Sequence, residues 1–124
     1  SRLIKPFFHY DIMEQEFSIK KDKYRKARGN YTRLMEIHCR KCNNLIIIYQ
    51  KDGAGTLRRM YMDRIYFPKR LTNLQKSKLN TIKLLRCQKC KGMIAMPYIY
   101  KKERRKAFRI FQDTIRKKII KPAK

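Results

Sequence analysis

Cysteine occurs four times in this sequence, as two Cys-x-x-Cys pairs: I-H-C-R-K-C-N-N-L at residues 37–45 and R-C-Q-K-C-K-G-M at residues 86–93. A two-residue spacer lets both sulfurs of a pair reach one metal ion. Two such pairs supply the four thiolates of a closed tetrahedral site, the donor set that zinc takes in structural centres. Cys39, Cys42, Cys87 and Cys90 are therefore the candidate metal ligands, with Zn2+ the expected cofactor. Arg40, Lys41, Arg86, Lys89 and Lys91 flank them. These cations offset the dianionic charge of a zinc tetrathiolate and favour thiolate over thiol. Gly92 follows the second pair, where a tight turn is convenient. Two disulfides would need an oxidising compartment, and no secretory signal is read in the chain. A redox Cys-x-x-Cys belongs at a helix start in a βαβ setting and has no need of a duplicate. His38 abuts Cys39, but with four thiols at hand it is expected to be a surface or RNA-facing ring.

The charge points to a partner. Lys and Arg number 34 against 9 Asp and Glu, a formal net charge of +25 over 124 residues. The excess runs through most of the chain instead of forming one patch. So charged a fold repels itself, and a permanent polyanion, usually nucleic acid, relieves the repulsion. An anionic membrane surface is the weaker alternative for the charge; the longest apolar run, Leu45 to Tyr49, is too short to span a bilayer, and no membrane partner is expected. Enzyme chemistry finds little support. Asp52, Asp63, Glu103 and Asp113 offer no pair at metal-site spacing, and there is neither a phosphate-binding Gly-rich loop nor a deaminase signature. No catalytic residue and no small-molecule substrate is assigned. Asp63 and Asp113 sit among arginines and are expected to form ion pairs that orient Arg58, Arg64 or Arg109 toward phosphate.

The elements that must hold these residues are small. The expected fold class is α+β: a small zinc-ribbon β domain over residues 31–124, with a C-terminal amphipathic helix, preceded by a basic N-terminal extension over residues 1–30. Strands are expected at 31–38 and 44–50 around the first knuckle, and at 81–86 and 94–100 around the second. Pro97 marks an edge position in the last of these. The K-D-G-A-G turn leads into a strand over 57–67, ended by Pro68, that pairs back on 44–50. Residues 69–80 read as a basic loop or short helix. The 44 residues between the pairs imply an insertion or extra hairpin. Phe108, Phe111, Ile115 and Ile119 recur at three- and four-residue steps, which predicts the C-terminal helix; a strand through A-F-R-I-F-Q is the alternative. Phe7, Phe8, Tyr10 and Phe17 imply that the extension docks, on a partner or on its own core.

By its two knuckles the sequence resembles the zinc-ribbon class over about residues 31–100. By size and charge it is similar to zinc-bearing ribosomal proteins. The class carries many functions, so the likeness alone does not choose one. The resemblance and the charge together imply a structural RNA-binding component of a large ribonucleoprotein, a ribosomal protein contacting rRNA and neighbouring ribosomal proteins, in a cytoplasmic or organellar ribosome. Arg40, Lys41, Arg58, Arg59, Arg64, Lys89, Lys91, Arg104, Arg105, Arg109, Arg116 and Lys117 are the candidate RNA-binding residues. The alternative is a free zinc-ribbon DNA-binding regulator or transcription component. Diffuse basicity favours RNA, because a DNA reader concentrates its charge on one recognition element.

Overall fold

The structure, a computed structural model, describes residues 19–123. Its frame is two four-stranded antiparallel sheets. Strands β1 (Thr32–Cys39) and β2 (Leu45–Asp52) flank the first knuckle. Their register sets Ile37 opposite Ile47 and Met35 opposite Tyr49. Leu34 and Ile48, which alternate with these, are also buried. The strands therefore read as continuous apolar runs, because both faces are covered. β4 (Ile65–Phe67) and β8 (Ile115–Ala123) complete this sheet in the order β4-β2-β1-β8. The second sheet runs β3 (Arg59–Tyr61), β7 (Arg105–Ile110), β6 (Met93–Tyr100) and β5 (Leu85–Arg86). One buried cluster joins Met35, Ile37, Ile47 and Tyr49 of the first sheet to Met60, Leu85, Ala95 and Phe108 of the second.

The expected strand over 57–67 is divided between the sheets. Ile65–Phe67 does pair back on β2, but Arg59–Tyr61 pairs with β7 in the other sheet. A 3-10 turn at Met62–Arg64 makes the crossing, with Met62 and Arg64 buried. The crossing is held by polar contacts: the Tyr61 amide donates to the Tyr49 hydroxyl at 2.8 Å, and Arg64 bonds Asp52 at 2.9 Å. Residues 69–81 form three further 3-10 turns that lay Leu71, Leu74 and Leu79 against the core. The strand into the second knuckle is short, Leu85–Arg86. It pairs with β6 only as far as Ala95, so β6 has an open edge at Pro97, where the missing N–H costs nothing.

The C-terminal helix is replaced by a β-hairpin. Residues 105–110 are β7, residues 115–123 are β8, and the turn between them contains Asp113 at φ 61°. Pairing and burial explain the difference. Phe108 fits a three- and four-residue step with Phe111 and Ile115, but residues 105–110 pair with β3 on one side and β6 on the other, and Ala107 and Phe108, on opposite faces of that strand, are both buried. Among the described residues no helix is long and apolar enough to cross a membrane.

The aromatic stretch at residues 7–17 lies outside the described residues. Residues 19–30 are fastened to the body. Asp22 caps a short helix, Lys23–Ala27, accepting from the amides of Tyr24 and Arg25 at 3.1 and 3.2 Å. Gly29 and Asn30, both at positive φ, turn the chain into β1. The backbone of Lys20 exchanges two hydrogen bonds with the Gln50 amide, each 2.9 Å.

Candidate metal centre

Each Cys-x-x-Cys sits at the tip of a hairpin, and the two tips share one backbone plan. In the first, the Cys39 carbonyl accepts from the Asn43 amide and the Cys39 amide donates to the Asn44 carbonyl, both at 2.8 Å. In the second, the Cys87 carbonyl accepts from Lys91 and the Cys87 amide donates to Gly92, both at 2.9 Å. The fifth residue of each knuckle takes the left-handed conformation: Asn43 at φ 64° and Lys91 at φ 66°. Asparagine tolerates this region; lysine adopts it here because the knuckle demands it. The sequence expectation placed the turn on Gly92. The positive φ belongs one residue earlier, and a Cβ on Gly92 would meet only the Cys90 Sγ at an ordinary 3.5 Å.

The four sulfurs converge. Cys39 Sγ lies 3.6 Å from Cys90 Sγ, Cys42 Sγ lies 3.4 Å from Cys87 Sγ, and all four lie within 4.8 Å of one another. A tetrahedron with metal–sulfur bonds of about 2.3 Å has edges of about 3.8 Å, so the donor set fits a metal ion such as zinc. Cys39 and Cys87 are buried, and Cys42 and Cys90 pack against the core, which leaves no open coordination position for a substrate. The electrostatics of the thiols are uneven. Burial opposes ionisation of Cys87, but the amides of Cys90 and Lys89 and the neighbouring thiols overcome it and bring the group down to about 6. At Cys42 the Asn44 amide works downward, but burial and the three neighbouring sulfurs raise the group to about 11. A metal dication would displace the protons that such crowding retains.

The predicted basic residues divide into two sets. Arg40, Lys41, Lys89 and Lys91 are exposed on the knuckles beside the sulfurs. Arg58, Arg104, Arg109, Arg116 and Lys117 are exposed elsewhere, and Arg59 is half-buried. Arg64 and Arg105 are not on the surface. Arg64 bonds Asp52 at 2.9 Å and Asp22 at 2.6 Å. Arg105 bonds Asp63 at 2.8 Å, and its guanidinium lies over the rings of both Tyr24 and Tyr61, 4.0 and 3.7 Å from their centroids. Neither guanidinium is left for phosphate, and Asp63 serves this interior cluster. His38 is a pinned ring and not a ligand: Nε2 meets the buried Glu36 carboxylate at 2.6 Å and Nδ1 meets the Asn43 carbonyl at 3.1 Å. Glu36 has no part in the sequence reading, although its place two residues before His38 on one strand face is a legible signal. The tyrosines of β6 are likewise missed, since nothing local separates a core ring from a groove ring.

No family model, no curated protein and no solved structure matches the chain. The site therefore stands on its own geometry.

Proposed function

We propose that the protein is a structural RNA-binding component of a large ribonucleoprotein particle, with the ribosome the first candidate, and that zinc is the metal its four cysteines hold. The observation that carries the RNA reading is where the charges face. Asp22, Glu36, Asp52, Asp63 and Glu103 pair with Arg64, His38, Arg105 and Arg28, several of them inside the fold. Among the described residues Asp113 is the one carboxylate outside these pairs. Over the described residues the exposed charge is thus almost all unopposed cation. Its distribution over both knuckles, β3, β7 and β8 suits the irregular phosphate landscape of folded RNA better than one DNA groove. Zinc is favoured by the closed all-thiolate donor set; when bound it supplies bonds that tie the two hairpins, with no water position for chemistry.

Two measurements test this. Lysate is fractionated on a density gradient, with and without ribonuclease, at moderate and high salt. Co-migration with ribosomal particles that survives high salt and collapses on ribonuclease treatment is expected; migration at the top of the gradient overturns the particle reading and promotes the free regulator. Metal analysis of the purified chain is expected to give stoichiometric zinc, lost in Cys39→Ser and Cys87→Ser. A variant that keeps its zinc and its fold overturns the tetrathiolate.

A further inference from the structure

A groove of about 650 Å³ runs between the second sheet and the last strand. Arg58, the residue before β3, Arg59 of β3, Tyr98 and Tyr100 of β6, Arg109 of β7 and Lys117 of β8 line it, and Arg40 reaches it from the first knuckle. Among the described residues Asp113 is its one acidic lining residue. The strand register builds this wall. Residues directly opposite share a sheet face, and Arg59 stands opposite Arg109, which stands opposite Met96. The next rows are Tyr61, Ala107 and Tyr98, then Arg105 and Tyr100. Cations and aromatic rings thus alternate across one face.

Arg59 is set between the two tyrosines. Its Nε donates to the Tyr98 hydroxyl at 2.8 Å, and its guanidinium lies 4.2 Å from the centroid of the Tyr100 ring. The Tyr61 and Tyr100 rings meet edge to face, with centroids 5.9 Å apart. The result is a pre-ordered platform of rings and a guanidinium, in a concavity that exposed cations also line. Phosphate neutralisation alone needs no such platform. A duplex cannot use it either, because its bases are already stacked on each other. An unpaired strand can, since every base has a face to lay on a ring or a guanidinium plane while its backbone follows the positive walls.

From these features we infer that the groove binds a single-stranded segment of RNA, stacking its bases on the Arg59–Tyr100 platform and on Tyr98 while Arg40, Arg58, Arg109 and Lys117 take its phosphates. The inference rests on the RNA-binding reading above and names the form of RNA that this surface takes. Recognition is tolerant of sequence, because the groove offers planar faces and not a fixed set of base-edge partners.

The test is fluorescence anisotropy on the zinc-loaded full chain, with a labelled oligouridine octamer and an RNA duplex of the same length per strand, over a salt series. The octamer is expected to bind the more tightly. Tyr98→Leu, which keeps apolar bulk, should weaken the octamer about tenfold with the salt slope unchanged, the loss expected for one stacked base. Arg109→Gln should weaken both probes and reduce the slope by about one. Photocrosslinking of the wild-type chain to an octamer carrying 4-thiouridine gives a readout free of variants, with adducts expected in residues 96–100. Equal affinity for duplex and octamer, with adducts elsewhere, overturns the groove while the RNA-binding reading stands. Failure to bind either probe overturns both.

Discussion

Arg64 holds a permanent charge in the interior of a protein that has cations to spare. Burial works against that charge, but the hydrogen bonds Arg64 donates to Asp22 and Asp52 overcome the penalty and hold the guanidinium protonated still more firmly than usual. The cost of such a group shows when one partner is removed. Arg64→Met should lower stability by about 3–5 kcal/mol, because it strands the buried Asp52 carboxylate. Urea titration reads it directly. Adding Asp52→Asn to that variant should recover part of the loss, since the stranded charge is then gone. A midpoint unchanged in Arg64→Met would return this arginine to the surface and to phosphate. The contrast with the cysteines shows what a sequence discloses. Cys39-x-x-Cys42 and Cys87-x-x-Cys90 are legible because the spacing itself does the geometry. Arg64 and Arg109 look alike in the sequence, each beside an apolar residue. One faces Asp52 and the other solvent only because β3 and β4 belong to different sheets.

The segment of residues 19–30 is an element fastened by charge. Partial burial disfavours the Asp22 carboxylate, but Arg64 and the amides of Arg25 and Tyr24 prevail and hold it down at about 2, from 3.8. Glu103, bonded to Arg28 and Arg105, is lowered for the same kind of reason against the same opposing burial. Groups held below their free values contribute stability that is complete above the free value and drains as pH falls toward the folded one. The segment should therefore loosen between about pH 4 and pH 2. Pepsin cleavage within residues 20–30 should rise over that window before the strands of the first sheet are cut, and Asp22→Asn should be cleaved readily across the whole range. A segment that stays protected at the acid end would show that Arg25–Thr32 and Lys20–Gln50 suffice to hold it. The expected helix over the last residues fails at this level too. The steps between Phe108, Phe111, Ile115 and Ile119 are helical by count, but they straddle a turn. Ile119 ends 49% exposed, whereas Phe108 is 1% exposed. Periodicity cannot see a turn that carries no glycine or proline.

The whole molecule combines a continuous core with a field that opposes compactness. Screening should therefore stabilise the free protein: its thermal midpoint should rise with potassium chloride, against the usual indifference of a balanced surface. Added RNA at low salt should raise it further by mass action. A midpoint that falls with salt would mean that the interior ion pairs outweigh the outer repulsion. At this scale the sequence disclosed the knuckles, their flanking strands and the sign of the surface. The assembly into two sheets was not legible, because it depends on Met62–Arg64 carrying the chain across and on β8 returning to β1.

That return has a consequence for synthesis. β1 is an inner strand, flanked on one side by β2, its neighbour in sequence, and on the other by β8, the last strand described. The chain leaves the exit tunnel from the N-terminus at roughly 5–20 residues per second. One edge of β1 must then wait, unpaired, while everything from Leu45 to Thr114 is made. The first knuckle waits too, with half its ligands, until Cys90 emerges. Neither closure can be finished early, so the nascent chain passes through a period with a bare strand edge and two unshared thiols. Slowing translation should lengthen that period, and the yield of folded protein should depend on how quickly residues 115–123 follow.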